Sequence, residues 1–205
     1  TGFGAAWGRR ACIAPLDARQ PRDPQACPRP GRGGSSTVRL RDCPELLDPR
    51  RTLLGPEQER WLADSWDPRR RWNLLAQQTL MARFARPFDN YWTDGWDGYA
   101  PARARLLQAV VDRRIPGVVV LGGDQHAHCV ADLKLDFDDV RGAVVATEFC
   151  GTSITSRGVA QDRVDAALRL NPHIHYGRGD QRGYVACHLD ADALHANLMA
   201  VDKPE

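Results

Sequence analysis

Apolar residues recur at helical spacing in two segments of the chain. Pro56 suits the first turn of a helix, and the apolar positions that follow it predict a buried helical face. A second helix is predicted from Pro101 to the Pro-Gly pair at 116–117, and a third near 159–169. The apolar faces of the first two consist of Trp61, Leu62, Trp66, Leu106, Leu107, Val110 and Val111.

Strands are predicted where apolar runs are short and unbroken. Residues 118–121 are Val-Val-Val-Leu, a run typical of a central strand that is covered on both faces. Residues 72–76 form a second buried strand candidate. Further strands are predicted near 129–137, 143–149, 183–189 and 194–201. The order of helices and strands indicates a layered α/β fold.

The two parts of the chain differ in organisation, and we predict a boundary at residue 47. Residues 1–47 read as an irregular, loop-rich segment with one possible strand at 12–16, because prolines and glycines are dense over 21–34. Residues 48–205 carry the regular pattern. Within them, the aromatic and glycine-bearing stretch 84–100 is either a packed loop or a binding surface.

Composition excludes several classes of protein. The 205 residues contain 28 Lys and Arg against 26 Asp and Glu, a net charge of +2 that argues against nucleic-acid binding. No apolar run of about 20 residues occurs, so we expect no membrane span. The sequence begins with Thr1 rather than Met, and we expect it to be a piece of a longer protein.

The six cysteines predict no metal ribbon, because no C-x-x-C pair occurs. A disulfide is expected among Cys12, Cys27 and Cys43, which lie in the loop-rich segment. Cys129 and Cys150 lie in apolar runs, where a free buried thiol is the usual state.

The strongest chemical signal is the segment Gly-Gly-Asp-Gln-His-Ala-His at 122–128, directly after the apolar strand. In an extended backbone Asp124, His126 and His128 would project to one side. A carboxylate with imidazoles is a ligand set for Fe, Zn or Mn, and a carboxylate can also bridge two metals. A polar turn with surface histidines is an equally good interpretation of so short a pattern.

Weaker candidates lie elsewhere. His173 and His175 could supply a metal ligand or bind a phosphate, although a loop leading into a strand explains them more simply. Asp97 could orient a metal-bound water and Tyr99 could line a substrate mouth, with loop packing as the alternative. Glu148 follows another apolar run and could neutralise a metal region or hold a histidine.

Other enzyme classes lack their motifs. Ser153 has no G-x-S-x-G context, so a serine hydrolase is disfavoured. The sequence contains neither a Walker A loop nor G-x-G-x-x-G, so nucleotide-binding folds are not indicated.

Five motifs in order resemble those of the PhoD-like alkaline phosphatase (alkaline phosphatase D) family. They are Asp-Pro-Arg-Arg-Thr-Leu-Leu-Gly at 48–55, Trp-Asn-Leu-Leu-Ala-Gln-Gln at 72–78, Trp-Asp-Gly-Tyr at 96–99, Gly-Asp-Gln-His at 123–126 and Thr-Glu-Phe-Cys-Gly-Thr-Ser-Ile at 147–154. Leu-Asp-Ala-Arg-Gln at 16–20 and Arg-Gly-Tyr at 182–184 extend the resemblance from about residue 16 to the end.

The resemblance implies an α/β sandwich of the calcineurin-like metallophosphoesterase type. It also implies metal-dependent hydrolysis of phosphomonoesters and phosphodiesters, with iron and calcium as the expected metals and zinc or manganese as alternatives. It implies that Asp124 and His126 are catalytic and metal-binding residues and that His173 is a further metal ligand. The residues expected near the substrate or behind the metal ligands are His128, Asp97, Tyr99 and Glu148.

The sequence departs from the family pattern in one large respect. The early Ser-Cys, Gly-Asp-x-x-Tyr and Asp-Asp-His-Glu segments of the family do not occur, so we expect the N-terminal half of the sandwich to be missing. We therefore expect impaired activity from this chain alone, or a non-catalytic remnant that binds metal, a complementary chain or itself. The resemblance also implies an exported protein, because family members are commonly exported.

Overall fold

The structure, a computed structural model, describes residues 5–7, 10–31 and 36–201 and consists of three sheets and three α-helices. The strands are β1 (Ala5–Trp7), β2 (Ala11–Pro15), β3 (Thr37–Arg39), β4 (Trp72–Ala76), β5 (Asn90–Trp92), β6 (Val118–Gly122), β7 (His128–Leu133), β8 (Ala146–Cys150), β9 (Ile174–Arg178), β10 (Arg182–Leu189) and β11 (Leu194–Val201). The helices are α1 (Gly55–Ser65), α2 (Ala100–Asp112) and α3 (Gln161–Leu168). Short 3-10 helices span Leu40–Asp42, Pro44–Leu47 and Trp96–Tyr99.

The main sheet has seven strands in the order β1-β2-β4-β6-β8-β7-β9. Its four middle strands, β2, β4, β6 and β8, are parallel, and β1, β7 and β9 pair antiparallel at the two sides. Strand β6 lies at the centre with Val118, Val119 and Val120 buried, so its predicted central position is confirmed. The carboxyl ends of the parallel strands share one edge, where ligands bind in α/β sheets.

The two faces of this sheet are covered differently. One face packs against all three helices through a large core that includes Leu62 of α1, Leu107 of α2 and Val164 of α3. The other face carries a smaller apolar cluster against which Leu189 and Leu194 of the β10–β11 hairpin pack. The members of this cluster are Ala11, Trp72, Leu74 and Val119, and Ile13, Leu121 and Phe149 are only half-buried there.

The loop-rich segment contributes to the main sheet. The strand predicted at 12–16 is present as β2 and pairs in parallel with β4, so the sheet takes strands from both sides of residue 47. Cys27 and Cys43 form a disulfide, as the sequence allowed, while Cys129 and Cys150 are free and buried. The predicted loop glycines at 33 and 34 lie outside the described residues.

The predicted helix starts are confirmed, and the first has a steric reason. Gly55 adopts φ +73°, and a Cβ there would lie 2.9 Å from the Cβ of Pro21, so glycine is required before Pro56 opens α1. In the described ranges the longest helix is α2, with 13 residues, and none is long and apolar enough to cross a bilayer. The aromatic stretch 84–100 is packed at its C-terminal end, where Trp96 and Tyr99 are fully buried, whereas Phe88 is exposed and Trp92 half-buried.

Candidate active site

The loop that joins β6 to β7 does not have the extended backbone that the alternating Asp-x-His-x-His pattern presumed. Asp124 adopts φ +64° and His126 φ +56°, so the chain curls through the left-handed region. The expectation that His128 would project beside them is therefore wrong. His128 is buried as the first residue of β7: its Nδ1 accepts the Thr152 N–H at 3.3 Å, and its Nε2 lies 3.3 Å from the Met199 carbonyl oxygen.

Asp124 and His126 line a cavity of about 580 Å³ at the carboxyl ends of the parallel strands. Its wall combines polar groups of the loop with an apolar surface from the aromatic stretch and from α3. Representative lining residues are Thr79, Phe84, Asp94, Trp92, Gln125, Val164 and Ala167. A concave site with a few convergent polar groups on an apolar wall is typical of a substrate pocket.

The ring of His126 has a defined tautomer. Its Nδ1 lies 3.0 Å from the carbonyl oxygen of Arg157. Because a carbonyl oxygen only accepts, Nδ1 is the donor, and in the neutral imidazole Nε2 then carries the lone pair. This is the arrangement that orients metal-ligating histidines, so Nε2 is available as a ligand or a base.

The carboxylate of Asp124 is tied to the segment that resembles the family's Leu-Asp-Thr-Arg-Gln motif. Arg19 Nη2 lies 3.1 Å from Asp124 Oδ2, and Arg19 Nη1 lies 2.9 Å from Asp94 Oδ1. Arg22 and Gln25 also donate to that oxygen of Asp94, each at 2.6 Å. Asp94 is thus neutralised by its neighbours, whereas Asp124 is half-exposed and shares one arginine.

Glu148 is fully buried on β8 and fixes the chain that crosses the strand ends. Its two carboxylate oxygens accept the N–H groups of Met81 and Ala82, each at 2.7 Å. Burial raises the pKa of Glu148 to about 7, although these two hydrogen bonds act in the opposite direction. Its hydrogen-bond partners are backbone amides and Gln77 rather than a histidine, so the structure places it as a support of the cavity wall.

Asp97 borders the cavity, but its carboxylate is already used. Oδ1 accepts from Arg103 Nη1 at 2.8 Å, and Oδ2 accepts from the Phe84 N–H at 2.9 Å, with both charged side chains nearly inaccessible to solvent. Tyr99 lies in the core, where its hydroxyl donates to the Asp23 carbonyl at 2.6 Å and burial raises its pKa. Neither side chain has the free atoms that a substrate role would need.

His173 lies apart from the cavity lining. Its Nε2 is 2.8 Å from the Arg83 carbonyl oxygen, its ring packs against Phe137 at 4.6 Å, and burial lowers its pKa to about 4. The structure therefore brings Asp124 and His126 to one cavity and places His173 elsewhere. His175 is exposed and pairs with Asp132 at 2.7 Å.

The residues fit a metal in part. Asp124 and His126 offer two of the three or four protein ligands that a metal site needs. Among residues 5–7, 10–31 and 36–201, only Cys27, Cys43 and Glu45 have three ligand atoms within 4.8 Å of one another, and the two sulfurs there form the disulfide. The described chain alone therefore holds an incomplete ligand set at the cavity.

Comparison with known proteins assigns the family. The sequence model of the family described as PhoD-like phosphatase matches residues 3–198. The chain belongs to the PhoD-like phosphatase family. The match begins earlier than the motifs indicated, at residue 3 rather than about 16.

Two relatives of this chain are much longer than the chain itself. It is 38% identical over 190 residues to alkaline phosphatase D of Bacillus subtilis, covering 88% of this chain and 31% of that protein. A solved structure of PhoD superposes with a TM-score of 0.78 and 36% identity, covering 91% of this chain and 35% of that one. The chain therefore spans about a third of the length of these relatives, and its mixed α/β fold is theirs.

The sequence pattern did not single out several residues of the cavity. The only sequence signal for Arg19 was its place in the Leu-Asp-Ala-Arg-Gln segment, which resembles a family motif. Its contact with Asp124 spans 105 positions of sequence and could not be read from that motif. Arg86 and Trp92 line the cavity from a stretch that showed only its aromatic content. Arg163 comes from α3, which the sequence indicated only as a helix.

Proposed function

We propose that this chain carries part of the active site of a metal-dependent phosphoric-ester hydrolase of the alkaline phosphatase or phosphodiesterase type. The observation that supports the proposal is the cavity at the strand ends, where the Asp124 carboxylate and the His126 imidazole lie on one loop. Membership of the PhoD-like phosphatase family supplies the reaction class.

Asp124 and His126 are the residues that would hold a metal, which we propose to be iron with calcium, or zinc or manganese. A bound metal would neutralise the charge that develops on the phosphoryl oxygens. Hard carboxylate oxygen and borderline imidazole nitrogen are compatible with each of these ions.

The surrounding residues position these two side chains. The Arg157 carbonyl orients the His126 ring, and Arg19 Nη2 pairs with Asp124 Oδ2 until a cation takes its place. Glu148 fixes the backbone of Met81 and Ala82, and the latter lines the cavity. Preorganisation of this kind is what electrostatic catalysis requires of a protein.

We further propose that the chain alone is severely impaired and that the remaining ligands come from residues outside it, in a longer protein or a complementary chain. Two ligands bind a metal weakly, and catalysis by charge neutralisation depends on a complete site. The second candidate, a non-catalytic or partner-dependent fragment, is favoured by the half-buried Ile13, Leu121 and Phe149 on the sheet face beside the hairpin. Such a face suits a packing partner.

Metal binding tests the proposal more directly than turnover. We expect Mn²⁺ to bind the purified 205-residue chain weakly by electron paramagnetic resonance, and Asp124→Ala to abolish that binding. Asp132→Ala is the matched control, because Asp132 is also a carboxylate beside a histidine but lies on β7 next to His175. Binding that survives Asp124→Ala would contradict the assignment of this loop.

Turnover separates the two candidate functions. The chain is assayed with p-nitrophenyl phosphate, a monoester, and with bis(p-nitrophenyl) phosphate, a diester. Fe, Ca, Zn or Mn is added in turn, and EDTA is the control. We expect little turnover alone and restored turnover when a polypeptide bearing the family's Gly-Asp-x-x-Tyr and Asp-Asp-His-Glu segments is added. Full activity alone would contradict the impairment, and no activity in either mixture would favour the non-catalytic fragment.

A further inference from the structure

Arg86 places a cation in the cavity wall without an acidic partner. Its guanidinium lies over the Trp92 ring, 5.4 Å from the ring centroid, and both residues line the cavity. Its Nε is buried with no hydrogen-bond partner, and in the part of the chain that the structure describes no carboxylate forms an ion pair with Arg86.

The backbone around Arg86 holds this position firmly. Arg86 and Asn90 exchange two backbone hydrogen bonds, of 3.0 and 3.4 Å, across a tight turn in which Phe88 and Asp89 adopt positive φ. The Asn90 side chain also donates to the Pro87 carbonyl at 2.7 Å. A closed turn therefore holds the backbone of Arg86, and the guanidinium lies over the Trp92 ring of β5.

Neighbouring arginines show what is unusual about Arg86. Arg19, Arg22 and Arg103 each contact a carboxylate within 3.1 Å. The carboxylate whose charge reaches Arg86 is Asp97, and both of its oxygens are engaged by Arg103 and by a backbone amide.

Desolvating a cation without a counter-charge is costly, and burial lowers the pKa of the Arg86 guanidinium accordingly. Folding alone does not explain why the charge is kept there. A ligand that brings its own negative charge into the cavity would offset that cost.

We propose that Arg86 forms a second oxyanion-binding position in this cavity, which takes a phosphate or carboxylate group of the substrate other than the ester phosphate held at Asp124 and His126. The guanidinium is planar and matches such groups with two parallel hydrogen bonds. The Trp92 ring lies beneath the guanidinium and attracts it through its π face. That an ester phosphate is held at Asp124 and His126 rests on the proposed function. Together the two positions specify a substrate class, phosphate esters that carry a second anionic group.

The test measures binding of inorganic phosphate to the whole chain in EDTA, so that metal-held phosphate does not contribute. The readout is the Nε–H signal of Arg86 in a ¹H–¹⁵N NMR spectrum, assigned by its loss in Arg86→Lys. We expect a saturable shift of this signal. Isothermal titration should show binding at least about tenfold weaker in Arg86→Gln, since a charge-assisted hydrogen bond contributes roughly 1.5–3 kcal/mol.

Two controls make the result specific. Arg71→Gln removes an arginine that also stacks on a tryptophan, 5.0 Å from the Trp72 ring, but lies outside the cavity lining. Arg163→Gln removes an exposed arginine at the cavity rim. We expect both variants to bind phosphate as the parent chain does. Binding that depends on Arg163 and not on Arg86, or no saturable binding, would overturn the proposal.

Thermal unfolding distinguishes a ligand-binding role from a structural one. If Arg86 is kept for a ligand, Arg86→Gln leaves the melting temperature unchanged or higher without phosphate and abolishes its rise when phosphate is added. A lower melting temperature without phosphate would assign Arg86 to the fold instead. Because every measurement is made in EDTA, absence of metal-dependent turnover even with the complementary polypeptide added would contradict the proposed function without affecting this result.

Discussion

Two polar regions of the molecule use their carboxylates differently. In the buried region, Glu148 and Asp97 direct both carboxylate oxygens to groups of the protein itself, namely three backbone amides, the Gln77 side chain and one arginine. In the cavity region, Asp124 contacts a single arginine that it shares with Asp94, and His126 keeps one ring nitrogen free.

The difference teaches how to separate supporting residues from residues that meet a ligand. A buried carboxylate needs its hydrogen bonds to offset desolvation, so saturated lone pairs indicate a structural role. A half-exposed carboxylate on a left-handed loop has no such need, and its free atoms are available for chemistry. Predicted site residues divide along this line: Asp124 and His126 fall on one side, and Glu148, Asp97 and Tyr99 on the other.

Removing Arg103 should destabilise the buried region and cause the largest loss in the free energy of unfolding. The Asp97–Arg103 pair is separated by 2.8 Å with side chains only 6–7% exposed, so Arg103→Met leaves a buried carboxylate with one partner fewer. We expect a loss of about 3–5 kcal/mol in the free energy of unfolding, measured with urea. Arg105→Met is the control, because its ion pair with Glu59 is partly exposed. Equal losses in both variants would mean that burial does not set the cost.

Reducing the disulfide should loosen the segment that supplies Arg19, Arg22 and Gln25 to the cavity. The bond joins Cys27 and Cys43, 16 positions apart. A loop of this length is stabilised by about 3 kcal/mol when it is closed, so reduction should lower the free energy of unfolding by about that amount. The measurement is urea unfolding with and without a phosphine reductant, and a variant with both cysteines changed to serine is the control. That variant should not respond to the reductant.

The pH dependence of stability should reveal two opposing groups in the buried region. Glu148 has a pKa of about 7 against an ordinary value of 4.5, so the folded state binds its proton more tightly. Its contribution to stability is therefore present below about pH 4.5 and is lost as the pH rises to about 7, a change on the order of 3 kcal/mol. His173 has a pKa of about 4 against 6.5, so its contribution is present above pH 6.5 and is lost as the pH falls towards 4.

Variants uncover each slope in turn. Glu148→Gln removes the first group, and the free energy of unfolding should then rise with pH between about 4 and 6.5 because of His173. His173→Gln removes the second, and stability should then fall between about 4.5 and 7 because of Glu148. The check is a series of urea unfolding curves across these pH values. Slopes of the same sign in both variants would contradict the assignment.

The regular elements of the fold could be predicted from the sequence because their signals are local. The run at 118–121 became the central strand, with residues 118–120 buried, and Gly55-Pro56 opened α1 as its sequence indicated. The sequence singled out the pair Asp124 and His126 for a similar reason, since both follow that strand directly, and the structure places both at one cavity. Strand β9 was not predicted, because its five residues carry little apolar pattern and pair only with β7.

The rest of the site depends on contacts that no local pattern encodes. The position of His128 could not be predicted, because positive φ at Asp124 and His126 breaks the alternation that an extended strand would have. The separation of His173 from the cavity follows from how Phe137 and Arg83 pack, and these contacts span 36 and 90 positions of sequence. Motif resemblance named residues, but packing decided which of them meet.

The smallest expected effect concerns Arg19, which links the cavity to its surroundings. Its ion pairs are partly exposed, so Arg19→Gln should change the free energy of unfolding by less than about 1 kcal/mol. Its Nη2 competes with any cation for Asp124 Oδ2, so the same variant should bind Mn²⁺ several-fold more tightly, since an exposed ion pair of this kind contributes up to about 1 kcal/mol. Arg22→Gln is the matched control, because Arg22 contacts Asp94 and not Asp124. Weaker Mn²⁺ binding in Arg19→Gln would show instead that Arg19 holds the Asp124 carboxylate in its ligating orientation. The carboxylate of the cavity region would then depend on a protein partner, as the carboxylates of the buried region do.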